Sequence, residues 1–563
     1  MSLEDHLDRV SRGWRGPLLA AFVALLAGLP GVFTVPTLDR DEARFAQATA
    51  QMLESGDFVV IRYQDQPRFK KPVGIHWLQA ASVSLLSEPE ARAIWAYRIP
   101  SLLGAMLAAA ACAWGARAVF GPATGLIAGG LLASTFLLST EAFIAKTDAV
   151  LAGTTTLAMA AMAHIYAAAR DGPPAGRLTR LLFWLGLSGA TLVKGPVGPM
   201  VVVLAALTLW AWDRRGGWLK KLGWGWGPIL FAAIVGPWAW AVTVATDGGF
   251  WTAAIAGDLA PKLVGGQETH GAPPGYHALL APLLFFPASL LLPAALIGAW
   301  RGRRETGVRF AVAWLVPAWL VFELTPTKLA HYPLPTYAAL AWLAAAAARQ
   351  EPGPIARWSG AAISAFAGFA LAAGTFYLLS QYGGGGDVTA AAMTGALMLG
   401  AGVAGAYMLL RRSARGAAVA ACALGVLGHA SLVSVFAPGL GPLWLSEHVE
   451  AALAKARLLP RQGIAPGPVA VAGYAEPSLV FALGTTTELD DAQQAAEAVA
   501  EHRPAVVEAR QQAAFDAAVA ARKLSPRLVG VVHGLDYSNG DEMSLNVYAA
   551  DQDAAAPSQE TRP

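Results

Sequence analysis

Residues 38–77, LDRDEARFAQATAQMLESGDFVVIRYQDQPRFKKPVGIHW, follow directly on an apolar run long enough to cross a bilayer, and they crowd charges of both signs into a chain that otherwise avoids charge. The first part, DEARFAQATAQMLESGD, sets Phe45, Ala48, Thr49, Met52 and Leu53 at helical spacing and ends at Gly56, a stop signal; the spacing predicts an amphipathic helix on the membrane surface. Asp39, Asp41 and Glu42 fall at its start, where an acid offsets the helix dipole by about 0.3 to 1 kcal/mol. Helix stability alone therefore accounts for acids here, but not for the arginines between them. The second part, PRFKKPVGIHWLQAASVSLL, places Arg68, Lys70 and Lys71 before another helix that opens at Pro72. Cations at a helix start oppose the dipole, so a bound anion explains them better.

Working outward, the whole chain has 563 residues, of which 55% are hydrophobic and 14% charged, with a mean hydropathy of +0.46. Such a composition excludes a soluble protein and predicts a polytopic α-helical membrane protein. The net charge of +3 lies in short clusters between apolar runs, which gives no continuous basic face and excludes a nucleic-acid partner. Cys112 and Cys422 both sit inside apolar runs and behave as small hydrophobes rather than as a disulfide framework. Arg9, Arg12 and Arg15 precede the run from Gly16 to Val35 without a convincing cleavage site, which predicts an uncleaved first transmembrane helix.

A window of about 20 residues per span predicts about 13 spans, starting near residues 16, 94, 122, 146, 179, 196, 223, 276, 307, 332, 355, 388 and 416. Short basic links such as Arg170 to Arg180, Arg214 to Lys221, Arg301 to Arg309 and Arg411 to Arg415 are assigned to the cytoplasm. The alternate links then face outward. Arg62, Arg68, Lys70 and Lys71 lie on that outer side, where basic residues have no topological use, so a functional explanation is required.

Residues 1–439 form the expected transmembrane domain. After Gly439 the apolar runs shorten, and residues 440–563 read as a small soluble α/β domain on the outer face with a flexible C-terminal end. PVAVAGY, PAVVEA and RLVGVVHG have the pattern of buried strands, DDAQQAAEAVAEH that of a helix, and YSNGDEMSLNVYAA that of a hairpin turn with a final strand. No catalytic motif stands out there, and His533 reads as a strand-end residue.

Other outward features join the inventory. Asp148, in EAFIAKTDAVLAG, lies at or just inside the start of a span, where an acid costs about 2.5 kcal/mol or more unless a cavity or partner receives it; Lys146 is the ordinary neutralising partner. Lys194 in TLVKGPVGP is either a snorkelling lysine or a site cation. The stretch GDLAPKLVGGQETHGAPPGYH carries Asp258, Lys262, Glu268, His270 and His277, whose spacing fits no strong zinc signature and suits a surface loop. TPTKLAHYPLPTY sets Lys328, His331 and Tyr332 at the mouth of another span, where aromatics also serve the interfacial belt. Together these residues describe an outward, membrane-level cavity with carboxylates and a surplus of cations suited to a lipid phosphate.

The ordered set LDRDEARFAQATAQMLESGDF, PRFKKPVGIHW, TLVKGPVGP and TKLAHYPLPTYAALA resembles the motif series of the C-type (GT-C) membrane glycosyltransferases of the polyprenyl-phosphate-mannose protein mannosyltransferase superfamily. It is most similar to the bacterial branch typified by the aminoarabinose lipid A transferase, and the tail resembles that branch's periplasmic domain. The resemblance implies a multi-pass protein of the bacterial inner membrane, acting as a monomer among membrane lipids with its site and tail on the periplasmic side. It implies inverting transfer of a hexosyl or pentosyl unit from a polyprenyl (undecaprenyl) phosphate donor to a glycolipid or glycan acceptor, lipid A above all. By the same resemblance Asp41 and Asp148 are the catalytic acids, and Arg44, Lys71 and Tyr332 bind the donor phosphate; the reading of the residues adds Lys70 and Lys328 to the phosphate cations. Asp39, Glu42, Lys194, His331 and His270 support them. No cofactor is required by it. Lys70 stands where the aminoarabinose branch has an acid that would help a divalent metal, and Phe45 stands where the family has a tyrosine.

The chemistry of these residues agrees with that implication. Displacing a polyprenyl phosphate develops negative charge on the leaving oxygen, which cations stabilise, and the incoming group needs a base, Asp41 first and Asp148 second. A Ser/Thr acceptor, as in protein O-mannosyl transfer, satisfies the same reading. A transporter or flippase of lipid-linked sugars fits less well, because internal repeats are lacking and the ionisable groups cluster at outer helix ends rather than at the bilayer midplane.

Overall fold

The computed structural model describes residues 3–170, 172–264, 271–460 and 466–550. Helices dominate as far as Gly439, and each of the predicted span starts falls within a few residues of a helix start: Arg15–Thr34, Ile94–Phe120, Pro122–Ala133, Asp148–Ala168, Arg177–Lys194, Val197–Asp213, Gly227–Ala245, Tyr276–Leu284, Thr306–Leu324, Leu334–Thr336 leading into Tyr337–Ala347, Pro354–Tyr382, Val388–Leu410 and Ala414–Ser431. Among the described residues eight helices are long and apolar enough to cross a membrane. A ninth is added if Tyr276–Leu284 and Ala288–Arg301, bent by 115°, count as one, and three shorter apolar helices follow, Pro122–Ala133, Val197–Asp213 and Leu334–Ala347, which leaves Arg177–Lys194 outside the count. The chain is therefore a multi-pass membrane protein. Length and apolarity stop short of the predicted count of about 13, because a fixed window registers apolar runs whether or not the helix within them is bent or short.

Helix packing follows small residues. The helices Ile94–Phe120 and Asp148–Ala168 meet at Gly104, where an added Cβ would lie 2.7 Å from the backbone N of Val150; without lipid-to-lipid hydrophobic gain, such close backbone approach supplies the dispersion contact that joins spans. Trp314 and Trp342 fill the centre of the bundle, edge to face at 5.5 Å. Large apolar side chains such as Ile229, Trp240, Ile355 and Leu427 are exposed on helix surfaces, as lipid contact requires.

The helix expected after the first span runs Asp41–Ser55 and ends at Gly56, whose φ of 71° is the left-handed cap that glycine adopts without strain. A two-residue hairpin, β1 (Arg62–Tyr63) with β2 (Gln66–Pro67), then leads to the helix Gly74–Leu86.

The tail carries a five-stranded mixed sheet of β3 (Ala470–Ala472), β4 (Glu488–Asp490), β5 (Ala505–Glu508), β6 (Arg527–Asp536) and β7 (Asp541–Ala549), in the order β4-β3-β5-β7-β6. β3 runs parallel to β4 and β5, and β7 antiparallel to β5 and β6. Met543, Leu545, Val547 and Ala549 alternate inward along β7, the period-2 pattern that fixes register. The sequence reading missed β4, a three-residue edge strand too short to show a pattern. It also placed His533 at a strand end, whereas His533 lies within β6 opposite Ser544.

The tail is fastened to the loop that follows the first span. Arg92 donates to Gln47 Oε1 (2.6 Å) and to the Phe481 carbonyl (3.0 Å), and it pairs with Glu54. Phe481 meets Tyr97 edge to face at 5.3 Å. Gln64, at the hairpin turn, donates to the Thr487 carbonyl (2.7 Å).

Candidate active site

The first acids of the loop after the first span do three different things. Glu42 is fully buried and paired with Arg98, which donates Nη2 to Oε2 (2.7 Å) and Nε to Oε1 (2.8 Å). The same carboxylate accepts the backbone N–H of Ala145 (2.7 Å) and of Leu38 (2.9 Å). Arg98 spends its remaining donors on carbonyls at the end of the first helix, among them Val35 (2.5 Å) and Pro36 (2.8 Å). Glu42 thus ties the first span, the helix Ile94–Phe120 and the turn before Asp148 into one corner; it positions the site and has no oxygen left for substrate. Asp39 faces away from Asp41 toward the tail. It accepts from Ser478, and its backbone N–H donates to the Tyr537 hydroxyl (2.7 Å). Burial, followed by the charges of Glu476 and Asp536, pushes its carboxyl up to about 7.

Asp41, between them, is exposed. Enclosure alone would raise its carboxyl, but Lys146, His331 and Arg68 outweigh that and hold it below the ordinary range, against the opposing charge of Asp148. Asp148, in the first turn of its helix, receives Lys194 Nζ at 2.5 Å, with His331 Nε2 at 3.6 Å and Lys146 Nζ at 3.9 Å. Lys146 is shared with Glu141 (3.0 Å), whose other oxygen is buried without a hydrogen-bond partner. Lys194 also lies 5.6 Å from the ring centroid of Tyr332. Five segments far apart in sequence therefore converge on one network.

Next to it, Lys71 donates to Asp258 Oδ2 (2.8 Å), and Lys262 takes the other oxygen (2.6 Å). Burial lowers the Lys71 ammonium to about 8, with Asp258 opposing that shift. Arg44 is half-buried and acts on Arg68, and Lys70 is exposed next to Lys71.

The predicted residues divide accordingly. Asp41, Asp148, Lys194, His331 and Tyr332 come together, with Lys71, Lys70 and Arg44 alongside. Lys328 does not join them: it is buried, and it donates to the carbonyls of Ala272 and Thr325, both at 2.7 Å, where it holds the loop before Tyr276–Leu284. His277 likewise bonds the Leu329 carbonyl (3.1 Å) and faces Glu323. His270 and Glu268 lie outside the described residues. Sequence reasoning missed Arg98 and gave Glu141 no role; the signal for Arg98 was present, a lone arginine in an apolar span, which is costly unless paired.

For a metal, the tightest grouping of ligating side chains among the described residues is Asp39, Glu476 and Asp536, with oxygens within 4.8 Å of one another. These hard oxygen donors suit magnesium or calcium chemistry, but they stand at the joint between loop and tail, not around Asp41.

Residues 14–253 match the family model described as dolichyl-phosphate-mannose-protein mannosyltransferase. An undecaprenyl phosphate-alpha-4-amino-4-deoxy-L-arabinose arabinosyl transferase of Pseudomonas aeruginosa is 31% identical over 309 residues, 54% of either chain. Its counterpart in Aeromonas salmonicida is 28% identical over 319 residues, 56% of either chain. The chain thus aligns with about half the length of the curated relatives it matches. The crystal structure of ArnT from Cupriavidus metallidurans bound to undecaprenyl phosphate has the same fold, with a TM-score of 0.74 at 20% identity over 96% of this chain and 98% of that one. The resemblance drawn from the ordered motifs is met by the family match and by the fold.

Proposed function

We propose, from that resemblance and the converging network, that the chain is a polyprenyl-phosphate-sugar-dependent glycosyltransferase of the bacterial inner membrane. It transfers a sugar with inversion from an undecaprenyl phosphate donor to a periplasmic-side envelope acceptor, with lipid A as the first candidate. The observation that carries the reading is the setting of Asp41: an exposed residue whose carboxylate Lys146, His331 and Arg68 hold in its ionised form, with the Lys71–Asp258–Lys262 cluster as further cations of the same face.

Arg44 and Lys71 hold the donor phosphate, with Lys70 and Tyr332 at its edge. As the bond to the anomeric carbon breaks, charge grows on the leaving oxygen, and these fixed cations stabilise it without reorganising. Asp41 accepts a proton from an acceptor hydroxyl, or orients an acceptor that is already ionised. Asp148 holds Lys194, and with Glu141 it holds Lys146, so it fixes the lysines that face the reacting centre. Glu42 and Arg98 set the distance between the two acids. The description of the matching family names a protein acceptor, so a Ser/Thr acceptor is the second reading.

Mass spectrometry of lipid A, glycans and envelope glycoproteins from cells with and without the protein tests both. A sugar missing from lipid A supports the first, one missing from a glycoprotein the second, and unchanged spectra in all three count against the enzyme. Reporter fusions after Arg215 and after Gly439 test the orientation, and they should report opposite sides.

A further inference from the structure

The cations of the site are not equally engaged. Lys71, Lys146 and Lys194 each have a carboxylate within 3.0 Å, from Asp258, Glu141 and Asp148 in turn. Arg68 has none within 4.0 Å among the described residues. Its guanidinium instead lies 5.3 Å from the ring centroid of Phe45, a buried side chain that in turn rests against His76. Its charge acts on Asp41, and Asp41, Asp258 and Arg44 act on it, so it lies within reach of both the acid and the Asp258 that holds the phosphate lysines.

The local fold holds it there. The Arg68 backbone N–H donates to the Ile61 carbonyl (2.8 Å) across the β1–β2 hairpin. Gln51 donates to the Gln64 carbonyl at the turn (2.6 Å), and Gln64 donates to Thr487 of the tail (2.7 Å). Burial and the neighbouring Arg44 both disfavour the charged guanidinium, and Asp41 and Asp258 offset them only from a distance. A cation so placed is matched by an anion that arrives with substrate. A planar guanidinium backed by a ring presents a fork suited to a carboxylate or a phosphate. The donor's phosphodiester carries one negative charge, and Arg44 and Lys71 already face it.

We propose that Arg68 is a specificity residue that binds a second acidic group of the substrates, a carboxylate on the transferred sugar or a phosphate on the acceptor, and disfavours a cationic sugar. This rests on the glycosyltransferase reading. The amino sugar named for the arabinosyl relatives would bring a like charge toward Arg68 and Lys70.

The test uses the full chain in nanodiscs, as wild type, Arg68→Gln and Arg68→Lys. Binding is measured for undecaprenyl phosphate, for undecaprenyl-phosphate-linked glucuronate against glucose, and for phosphorylated against dephosphorylated lipid A. Wild type should prefer the acidic member of one pair by about tenfold or more. Arg68→Gln should lose that preference while its affinity for undecaprenyl phosphate stays within about twofold, and Arg68→Lys should keep part of the preference. Preference in the donor pair assigns the acid to the sugar; preference in the acceptor pair assigns it to the acceptor. Equal binding within both pairs by wild type overturns the proposal, as does a preference that survives in Arg68→Gln. If that variant does not insert, a full wild-type preference in Arg68→Lys overturns it, because an ammonium cannot form the fork. Failure of wild type to bind undecaprenyl phosphate would sink the donor reading separately, and the lipid A pair would still judge Arg68.

Discussion

Asp213 and Asp148 are both buried carboxylates at helix ends with two cations apiece, yet they are finished differently. Asp213 receives Arg309 Nη1 on one oxygen (2.5 Å), and Arg170 with the Tyr166 hydroxyl (2.9 Å) on the other; Arg170 also stacks 3.6 Å over the Tyr166 ring. Both oxygens are held by arginine forks, and one of them by the tyrosine hydroxyl as well. Around Asp148, Lys194 lies at 2.5 Å and the Thr147 hydroxyl donates at 3.4 Å, while His331 and Lys146 stand at 3.6 and 3.9 Å and a Glu141 oxygen is left over. The contacts of His331 and Lys146 are too long for hydrogen bonds. A saturated cluster joins helices, whereas an unsaturated one keeps capacity for a ligand, and its flexible lysines can turn to meet one.

The contrast is broken most directly by removing the acids one at a time. Asp41→Asn and Asp148→Asn should insert and fold while transfer falls by about 10²- to 10⁴-fold, the usual range for loss of a positioned base. Asp213→Asn should instead lower the unfolding temperature and leave activity per folded molecule near wild type. Asp541→Asn, whose ion pair among the described residues is an exposed one with Arg510 at 3.4 Å, should leave both unchanged. Normal turnover in Asp41→Asn would remove it as the base, and equal destabilisation by all four would dissolve the distinction.

Next in size is the corner that holds Asp41. Arg98→Ala would strand Glu42 in a fully buried position, at a cost of about 3 to 5 kcal/mol, read as a lower unfolding temperature in detergent and a reduced yield of inserted protein. A stable, inserted Arg98→Ala protein would show that Glu42 is dispensable as a brace.

How much of this was legible in the sequence depends on which forces write a pattern. The helix Asp41–Ser55, its glycine cap and the span starts were readable because apolar spacing and left-handed caps are local. That Asp41, Lys146, Lys194 and His331 share a network was legible only through the order of the motifs, since nothing in the spacing of residues 41 and 331 brings them together. Neighbours were the hardest to separate: Asp39, Asp41 and Glu42 are three acids within four positions, and only tertiary contact turns one toward the tail and one onto Arg98 and leaves one exposed. Lys328 was misplaced for the same reason, because a basic residue at a span mouth looks alike whether it faces a ligand or two carbonyls.

A smaller effect is expected at the donor cations. Lys71→Ala should remove a charge-assisted contact of about 1.5 to 3 kcal/mol, a tenfold to hundredfold loss of undecaprenyl phosphate affinity. Because the Lys71 ammonium titrates near 8, wild-type affinity should weaken as pH rises from 7 to 9, and Lys71→Arg should flatten that slope. Lys70→Glu should weaken binding unless a divalent ion joins the site, so a chelator should affect that variant and not wild type. Unchanged affinity in Lys71→Ala would move the donor phosphate elsewhere.

The smallest effect belongs to the joint between loop and tail, which inverts the comparison because it gathers three acids with Arg40 and Arg44 acting on Glu476 only from a distance. Asp39, Glu476 and Asp536 bring their oxygens within 4.8 Å of one another, and burial lifts the Asp39 carboxyl to about 7 from its ordinary 3.8. Between those two values the folded protein holds a proton that the unfolded chain has released, so stability falls as pH rises. The contribution is complete below 3.8 and gone once pH has passed 7. Asp39→Asn keeps the shape and deletes the titration. The difference in unfolding temperature between variant and wild type should therefore grow in the variant's favour from pH 5 to pH 8, with the Ser478 contact retained by the amide oxygen. Parallel pH profiles for the two proteins would mean that Asp39 is not the proton-sensitive member of the joint, and would pass that role to Glu476, whose carboxyl burial and Asp536 also raise.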